Sequence, residues 1–501
     1  MTRSKKLLLN SITSLIFQLV SLICGFILPR MFLTYYGSSV NGLVSSITQF
    51  LGFISLAECG VGAVVQSSLY KPLADNNRDQ ISRICISSER FFRKIAYILL
   101  VYVVILMIFY PMVTLDSFSY GYTMLLIAVI SISSFAQYYI GMTYRLLLNA
   151  DQLGFIQFTI QTIALLLNTA AGILLMKNGF SIQIVKLTTS LIFLMQPLLI
   201  SAIARRKYHI DRKLVLTEEP IKQKWNGLAQ HIAAVVLANT DVAVLTLLST
   251  LKNVSIYAVY NLVVTGLKQL IVSLVNGTQA MFGNMLAKNE MQKLLKTFDA
   301  YEWIIHTLVT FVFSVTMILI VPFVRVYTKD VTDANYIVPV FAFFITLAQA
   351  SYCLRIPYNT MVLAAGHYRQ TQASAILEAL INVGVSVVFV YSFGLVGVAI
   401  GTLMAMVYRT CYLVYYLSKN ILKRNQMIFY RHIFVDALIM TLVLLGSRFF
   451  ILSKITYAGW ILMAVQAGVY GLIIVLVVNF IFYKQTMKES LDFLFKRFRK
   501  S

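Results

Sequence analysis

The sequence has little charge for its length. Only 12% of its 501 residues are Asp, Glu, Lys or Arg, whereas 59% are hydrophobic and the mean hydropathy is +0.78. A soluble protein carries about a quarter charged residues, so this composition excludes a water-soluble globule. The ten-residue alternation that is typical of membrane β-barrels is also missing. What the chain does have is apolar runs of about 20 residues, long enough to cross a bilayer as helices.

Cysteine and histidine are scarce as well, with five of each. No CxxC motif and no Cys–His cluster with metal-ligand spacing occurs, so neither a zinc site nor a disulfide framework is predicted. The cysteines are interpreted as small packing residues, mostly within apolar runs. His231 and His306 are isolated residues in or near such runs, and we interpret them as structural. No metal or organic cofactor is expected.

Fourteen segments are predicted to cross the membrane. They are residues 8–28, 40–66, 95–113, 122–148, 155–176, 182–204, 228–248, 256–282, 303–324, 336–363, 373–391, 396–417, 433–450 and 458–482. Backbone polar groups in lipid must be paired within the segment, so these segments are expected to be helices. The predicted fold class is therefore an all-α polytopic membrane protein.

The distribution of basic residues predicts the orientation in the membrane. If the N-terminus is cytoplasmic, 31 of the 42 Lys and Arg residues fall in cytoplasmic segments and only 8 fall outside. Cytoplasmic loops are enriched in Lys and Arg, so both termini are expected in the cytoplasm. We therefore attribute the net charge of +23 to the orientation of the protein in the membrane and to contact with anionic membrane lipids. No nucleic-acid partner is predicted.

A weak internal repeat divides the chain at an offset of about 215 residues. Residues 33–43 lead into the second predicted span, and residues 248–258 lead into the eighth in the same way. Gly179 and Gly394 fall at matching turns. The repeat predicts an N-terminal lobe (1–204), a basic cytoplasmic linker (205–227), a C-terminal lobe (228–420), and two further helices with a basic tail (421–501). Paired lobes of this kind commonly rock about a central site in transporters.

Several ionisable residues lie inside or at the edge of predicted spans. A charge near the middle of a bilayer costs at least about 2.5–3.5 kcal/mol, so each one needs a partner or a function. The bases are Arg30, Lys268, Arg355 and Arg409, and the acids are Glu58, Asp241 and Glu378. One interpretation is structural pairing, as Arg355–Glu378 or Lys268–Glu58. The other is a cavity with surplus positive charge that binds an anion, because the arginine fork matches phosphate oxygens.

Polar side chains accompany these charges at helical spacing. A polar stripe with this period faces protein or water rather than lipid, so we interpret the stripes as the lining of a cavity. The uncharged members are Gln49, Asn261, Asn276, Asn359 and Asn382.

Four sequence stretches carry a resemblance to a known family. They are Pro29-Arg-Met-Phe-Leu-Thr-Tyr-Tyr-Gly-Ser-Ser-Val-Asn-Gly-Leu, Glu58-Cys-Gly-Val-Gly-Ala, Leu69-Tyr-Lys-Pro-Leu-Ala, and Phe393-Gly-Leu-Val-Gly-Val-Ala-Ile-Gly-Thr. With these motifs the chain resembles, over essentially its whole length, the Wzx-type polysaccharide flippases. Those proteins belong to the multidrug/oligosaccharidyl-lipid/polysaccharide exporter (MOP) superfamily.

The resemblance implies a V-shaped pair of lobes that opens alternately to the two sides of the bacterial cytoplasmic membrane. The implied substrate is an undecaprenyl-pyrophosphate-linked oligosaccharide, moved to the outer leaflet for capsule, O-antigen or exopolysaccharide synthesis. Arg30 matches an arginine at the end of the family's first span. Our hypothesis is that Arg30 holds the pyrophosphate together with Lys268, Arg355 and Arg409. The implied partners are a polysaccharide polymerase and glycosyltransferases.

Other functions remain open at this stage. Glu58, Asp241 or Glu378 would be the candidates for binding a coupling H⁺ or Na⁺. A flippase for teichoic-acid precursors fits the sequence nearly as well. A drug/cation antiporter of the same superfamily is expected to need an acid-dominated cavity, and the first span has no acid. A membrane polymerase or ligase is disfavoured because the predicted outer loops are short, so the chain is not predicted to be an enzyme.

Overall fold

The computed structural model describes residues 3–58, 61–211, 214, 228–275, 277–452 and 454–498. Thirteen helices in these ranges are long and apolar enough to cross a membrane. The first, Leu8–Glu58, has 51 residues, about twice the length of one span, and it contains the first predicted span and residues 40–58 of the second, which was predicted to continue to residue 66. Its backbone leaves helical geometry at Gly37 (φ 79°, ψ 176°), a conformation that is essentially restricted to glycine. The prediction of an all-α polytopic fold is confirmed.

Residues Met1–Leu247 form one compact unit, which we call unit 1. A 3₁₀ turn, Phe53–Glu58, follows its first helix, and a π-helical turn, Gln137–Gly141, joins its fourth and fifth helices. The helices are α1 (Arg3–Gly52), α2 (Val61–Ala74), α3 (Arg78–Val113), α4 (Tyr120–Ala136), α5 (Met142–Ala150), α6 (Gly154–Lys177), α7 (Ile182–Tyr208) and α8 (Leu228–Leu248).

Residues Leu248–Ser501 form a second compact unit, unit 2. Its helices are α9 (Leu251–Leu274), α10 (Thr278–Ala287), α11 (Met291–Tyr327), α12 (Pro339–Leu354), α13 (Ile356–Ala364), α14 (Gln372–Phe393), α15 (Leu395–Asn420), α16 (Met427–Leu445) and α17 (Tyr457–Phe498). A 3₁₀ turn, Gly446–Phe449, follows α16.

The order of helices in unit 2 repeats that of unit 1. The 36-residue α3 corresponds to the 37-residue α11, and each is followed by a span that is broken near its C-terminal third. The break is the π-helical turn in unit 1, whereas in unit 2 it falls at Arg355, between α12 and α13. Pro357 lies in the first turn of α13, where its missing N–H costs no helical hydrogen bond.

Helix α8 packs within unit 1, whereas the sequence analysis assigned it to the C-terminal lobe. Its Thr246 hydroxyl lies 2.6 Å from the Ser46 hydroxyl of α1. Nearer its start, the Nε2 atom of His231 lies 2.7 Å from the carbonyl oxygen of Ser55. These two polar contacts join α8 to residues that lie far away in the chain. An internal repeat in the sequence carries no information about such contacts, which is why it did not group α8 with unit 1. The predicted lobe boundaries themselves stay a prediction.

Helices α14 and α15 approach each other closely because two glycines of α15 face α14. A Cβ atom added to Gly397 would lie 2.2 Å from the carbonyl oxygen of Phe389, and one added to Gly401 would lie 2.3 Å from the Ser386 hydroxyl. No side chain fits at either position. This contact gives a physical reason for the Gly-x-x-x-Gly spacing in the Phe393–Thr402 motif, since small residues let membrane helices pack backbone to backbone.

The loop between α5 and α6 is tied to two helix ends by Asp151. One carboxylate oxygen lies 2.7 Å from Nζ of Lys6, before α1 enters its apolar run. The other lies 3.0 Å from Nζ of Lys207 and 2.5 Å from the Tyr208 hydroxyl at the end of α7. Burial alone raises the pKa of Asp151, but these hydrogen bonds outweigh it and hold the pKa below its usual value.

Candidate functional site

Three helical segments of unit 2 bring Arg355, Glu378 and Arg409 together. Nη1 of Arg355 hydrogen-bonds Oε1 of Glu378, and Nε of Arg409 lies 3.6 Å from Oε2 of the same carboxylate. The side chains are 10%, 8% and 6% exposed, respectively. Arg409 lies near the middle of α15, far from either end of the span. One buried carboxylate therefore faces two guanidinium groups, and the trio carries a net positive charge.

The start of α14 supplies further partners to Arg409. Its Nη1 atom lies 2.9 Å from the carbonyl oxygen of Thr371 and also donates to the Ser374 hydroxyl. A buried guanidinium needs such acceptors, because each unpaired donor would keep its full desolvation cost. The close packing of α14 against α15 places these acceptors within reach of Arg409. In this conformation, Arg355 and Arg409 are thus bound within the protein.

Lys268 joins this cluster through an aromatic ring. The Tyr352 ring centroid lies 4.8 Å from Nζ of Lys268 and 4.6 Å from the guanidinium carbon of Arg355. A ring face attracts cations, so Tyr352 lets two positive groups lie near each other. Of the charged residues predicted in spans, unit 2 thus assembles three bases and one acid. We call Lys268, Arg355, Glu378 and Arg409 the cationic cluster.

The predicted asparagines of unit 2 have varied surroundings. Asn261 accepts a hydrogen bond from the Thr265 hydroxyl one turn away, at 2.9 Å. Asn382 is fully buried and donates to the Thr402 hydroxyl of α15, at 3.0 Å, so it holds α14 to α15. Asn359 is half-buried one turn after Arg355, and Asn276 lies outside the described residues.

The predicted residues of unit 1 lie on three of its elements. Glu58, at the end of the 3₁₀ turn, accepts a hydrogen bond from the hydroxyl of Tyr138 in the π-helical turn. Asp241 is buried on α8, while Arg30 and Gln49 are half-buried at different levels of α1.

Unit 1 also contains a polar cavity of about 260 Å³ that the sequence analysis did not predict. Gly141 closes the π-helical turn beside it, and a Cβ atom there would lie 2.7 Å from Cβ of Pro197. Arg145 was counted among the cytoplasmic basic residues, but it lines this cavity. The overlooked signal is three glutamines within predicted spans, where uncharged amides are costly. The polar lining consists of Ser21, Ser133, Ser134, Gln137, Arg145, Gln161 and Gln196.

The chain has the fold of MurJ and MATE transporters. It matches the lipid II flippase MurJ in an inward closed conformation with a TM-score of 0.67, at 16% identity, over 96% of this chain and 100% of that one. It matches a multidrug resistance MATE transporter of the MOP superfamily, in an inward-facing conformation, with a TM-score of 0.57, at 14% identity, over 79% and 95%. No protein-family model and no curated protein matches the sequence.

At these identities the likeness establishes the fold, and the chemistry of the site must be argued from this chain's own residues. The full length of MurJ is covered, together with 96% of this chain, so the two helices that follow the second copy of the repeat, α16 and α17, lie within the matched fold. The cationic cluster lies on α9 and α12–α15, within that repeat. Its arginines present the planar, fork-shaped donors that suit a phosphate or carboxylate ligand.

Proposed function

We propose that this protein is a flippase for oligosaccharides linked to undecaprenyl pyrophosphate, located in the bacterial cytoplasmic membrane with both termini in the cytoplasm. The observation that carries the proposal is the sharing of Glu378 by Arg355 and Arg409. Two guanidinium groups on one carboxylate, deep in a membrane-spanning unit, leave positive charge for an anionic headgroup. A MurJ-like fold is consistent with the movement of a lipid-linked substrate.

The proposed binding step is an exchange of anions. In the empty protein Glu378 serves as the counter-ion of both arginines. When the headgroup enters, pyrophosphate oxygens replace the Glu378 carboxylate at one or both guanidinium groups. Each guanidinium group can bind the phosphate in a bidentate manner. Lys268 adds a compact positive charge near the Tyr352 ring. The sugars contact polar side chains, and the prenyl tail stays in lipid.

The membrane potential would drive export of such a substrate. Moving one negative charge outward across a membrane that is negative inside is favoured by about 2.3 kcal/mol per 100 mV. A doubly charged headgroup would gain twice that amount without any coupling ion. The rocking of two lobes, as the resemblance implies, then exposes the headgroup at the outer leaflet, where a polysaccharide polymerase is the expected partner.

The same cluster argues against a site for cationic drugs. A cationic ligand would meet three basic residues and one acid that is already paired, so its entry would be repulsive. Teichoic-acid precursors are also attached to a prenyl pyrophosphate, and this cluster would accept them equally well. The choice between the two anionic substrates therefore depends on the sugar or polyol part.

A flipping assay with purified protein in liposomes tests the proposal. The probe is an undecaprenyl-pyrophosphate-linked oligosaccharide carrying a fluorophore that dithionite can reduce only in the outer leaflet. Arg355→Gln is the informative variant, because Glu378 keeps Arg409 as its partner and the fold keeps one buried ion pair. The matched control is Arg325→Gln, at the end of α11 and outside the cluster.

We expect Arg355→Gln to slow flipping at least about tenfold, the equivalent of one lost charge-assisted hydrogen bond to phosphate. The control should flip at the wild-type rate. Wild-type flipping by both Arg355→Gln and Arg409→Gln would remove the headgroup site. Transport of a cationic dye by wild-type protein that flips no prenyl-linked probe would replace the proposal with an antiporter.

A further inference from the structure

The polar cavity of unit 1 takes part in no step of the proposed flippase mechanism. Its wall combines one guanidinium group, three side-chain amides and three hydroxyl groups, supplied by α1, α6, α7 and the span that contains the π-helical turn. Ser134 and Gln196 lie near the middle of their apolar helices, Tyr120–Ala150 and Ile182–Tyr208. The cavity therefore holds its polar groups at a depth where lipid offers no hydrogen-bond partner.

Most of these polar side chains lack a partner within the protein. In the described part of the chain, Arg145, Gln137 and Gln196 form no side-chain hydrogen bond and no ion pair. Gln161 accepts one long hydrogen bond, at 3.4 Å, from the amide of Gln157. Gln157 is 4% exposed, and its own Oε1 atom is buried without a partner among the described residues. Unpaired amides inside a membrane protein are costly, so these groups need water or a ligand in the cavity.

Arg145 determines which charge a ligand of this cavity carries. No carboxylate of the described residues pairs with its guanidinium group, and Glu58 instead accepts a hydrogen bond from Tyr138. A positive charge without a counter-ion in a membrane-spanning helix is unfavourable, so the cavity attracts an anion. The planar fork of N–H donors matches the two oxygens of a carboxylate.

The geometry of the span directs Arg145 toward the cavity. It lies five residues before the end of α5, and a long helical side chain leans toward the N-terminus of its helix, away from that end. Gly141, one turn earlier, lets the π-helical turn approach Pro197 of α7. This approach brings Gln137 and Gln196 into one wall with Arg145. Single π-helical turns within α-helices are frequent at functional sites.

The size and the apolar part of the wall suit a ligand larger than a bare anion. A water molecule takes up about 30 Å³ in the liquid, so 260 Å³ is the space of roughly eight waters. Phe17 of α1 and Phe193 of α7 add aromatic surface to the wall. A sugar ring has C–H faces that pack on aromatic side chains and hydroxyl groups that bind amides, which is the combination found here.

We propose that this cavity binds one acidic sugar, with its carboxylate on Arg145 and its hydroxyl groups on Gln137, Gln161 and Gln196. The proposal rests on the proposed function for the source of the sugar, which is the glycan part of the lipid-linked substrate. A substrate whose sugars are all neutral gains nothing from Arg145. The cavity thus makes the protein selective for glycans that contain a uronic acid.

Saturation-transfer NMR titrations of the full-length protein in detergent measure this binding without any lipid-linked substrate. The probes are free glucuronate, glucose as the uncharged ring, and acetate as the carboxylate without a ring. Arg145→Gln removes the charge and keeps a polar side chain, and it should fold because Arg145 has no bond to a described residue to lose. Arg206→Gln, at the exposed end of α7, is the matched control.

We expect the wild-type protein and Arg206→Gln to bind glucuronate at least about tenfold more tightly than glucose or acetate. Arg145→Gln should lose this preference. Arg355→Gln should keep it, because Arg355 belongs to the cationic cluster of unit 2.

Three results would overturn the proposal. Glucuronate binding that survives in Arg145→Gln but is lost in Arg355→Gln would place the ligand in the cationic cluster. Acetate that binds as tightly as glucuronate would show that the sugar ring contributes nothing. A wild-type protein that binds none of the probes would show that water alone fills the cavity.

A pair of liposome probes connects the site to transport. They are undecaprenyl-pyrophosphate oligosaccharides that differ only in glucuronate or glucose at one position. Arg145→Gln should slow flipping of the acidic probe about tenfold and leave the neutral probe at the wild-type rate. Equal slowing of both probes would reveal a merely structural role and contradict the selectivity. If wild-type protein flipped neither probe, the proposed function would be wrong while the binding of free glucuronate would stand, so the two proposals fail separately.

Discussion

Tyr144 and Tyr358 occupy matching positions in the two units, and each hydroxyl hydrogen-bonds a side chain of the long helix before it. The partners are Glu89 on α3 and His306 on α11, whose Nε2 atom lies 2.9 Å from the Tyr358 hydroxyl. The two tyrosines follow the offset of about 215 residues found in the sequence. The repeat therefore extends from the order of helices to the polar contacts of matching tyrosines.

This equivalence predicts unequal effects of the same substitution. Tyr358→Phe removes the hydroxyl that pairs with Nε2 of His306, which is 1% exposed and cannot replace that partner with water, so a loss of about 1–3 kcal/mol in the free energy of unfolding is expected. Tyr144→Phe should cost less, because the Glu89 side chain is 15% exposed. Thermal unfolding of the two variants in the same detergent measures the two losses of stability. Tyr391→Phe, which changes an exposed tyrosine, is the control. Equal losses for the two variants would contradict the argument.

The sequence predicted the all-α polytopic fold, because apolar runs and the charges within them are properties of single segments. Apolar runs define helices, and a charge within such a run must be buried or functional. Arg355–Glu378 pairing was one of the two interpretations left open, and the structure shows that pair. The structure adds that Arg409 shares the same carboxylate, which follows from the close packing of α14 on α15.

The features that the sequence analysis missed depend on which helices face each other. Arg145 was counted among the cytoplasmic basic residues, and only the packing of the π-helical turn against α7 reveals the cavity that it lines. His306 was interpreted as an isolated structural residue, because its partner Asp436 is 130 positions away in the chain. Helical spacing identifies the polar face of one helix, but it carries no information about the partner of that face.

Replacing Glu378 with Gln should change stability and headgroup binding in opposite directions. Without the carboxylate, two buried guanidinium groups lose their counter-ion, and breaking a buried pair in this way costs about 3–5 kcal/mol. The same change removes the anion that competes with pyrophosphate in the proposed exchange. We expect a lower unfolding temperature in the empty protein and tighter binding of pyrophosphate, measured by calorimetry.

Added pyrophosphate should also raise the unfolding temperature of Glu378→Gln more than that of the wild-type protein, because a ligand that binds only the folded state stabilises it. Glu290→Gln, which removes a surface ion pair with Lys293, is the matched control for loss of one negative charge. If Glu378→Gln weakened pyrophosphate binding, the exchange of anions would be wrong.

The glycine contact between α14 and α15 predicts a strong difference between two Gly→Ala variants. Gly401→Ala places a Cβ atom 2.3 Å from the Ser386 hydroxyl and 2.8 Å from the Ser386 nitrogen, so the helices must separate. Gly384→Ala on α14 meets nothing within 4 Å and should be neutral or slightly stabilising. The expected cost of Gly401→Ala is about 1–3 kcal/mol. Thermal unfolding of both variants measures the difference, and equal unfolding temperatures would show that the contact is looser than described.

Asp151 should make the stability of the protein depend on pH in the acidic range. Hydrogen bonds from Lys6, Tyr208 and Lys207 outweigh its burial and hold its pKa below the usual value. A carboxyl whose pKa is lower in the folded state stabilises the protein above the unfolded pKa of about 4 and loses that contribution as the pH falls through the folded value. The contribution at neutral pH is about 1 kcal/mol, because the side chain is partly exposed and screened by salt.

Asp151→Asn removes this contribution and should lower the unfolding temperature at neutral pH. The difference from the wild-type protein should shrink as the pH falls through the lowered pKa of the folded carboxyl, because the wild-type carboxyl is then itself protonated. Asp116→Asn, in the exposed turn after α3, controls for the loss of one acidic group. Because Asp151 joins the start of α1 to the end of α7, hydrogen exchange at both helix ends should quicken together in Asp151→Asn. A variant that quickens exchange at only one end would show that the carboxylate does not connect the two helices.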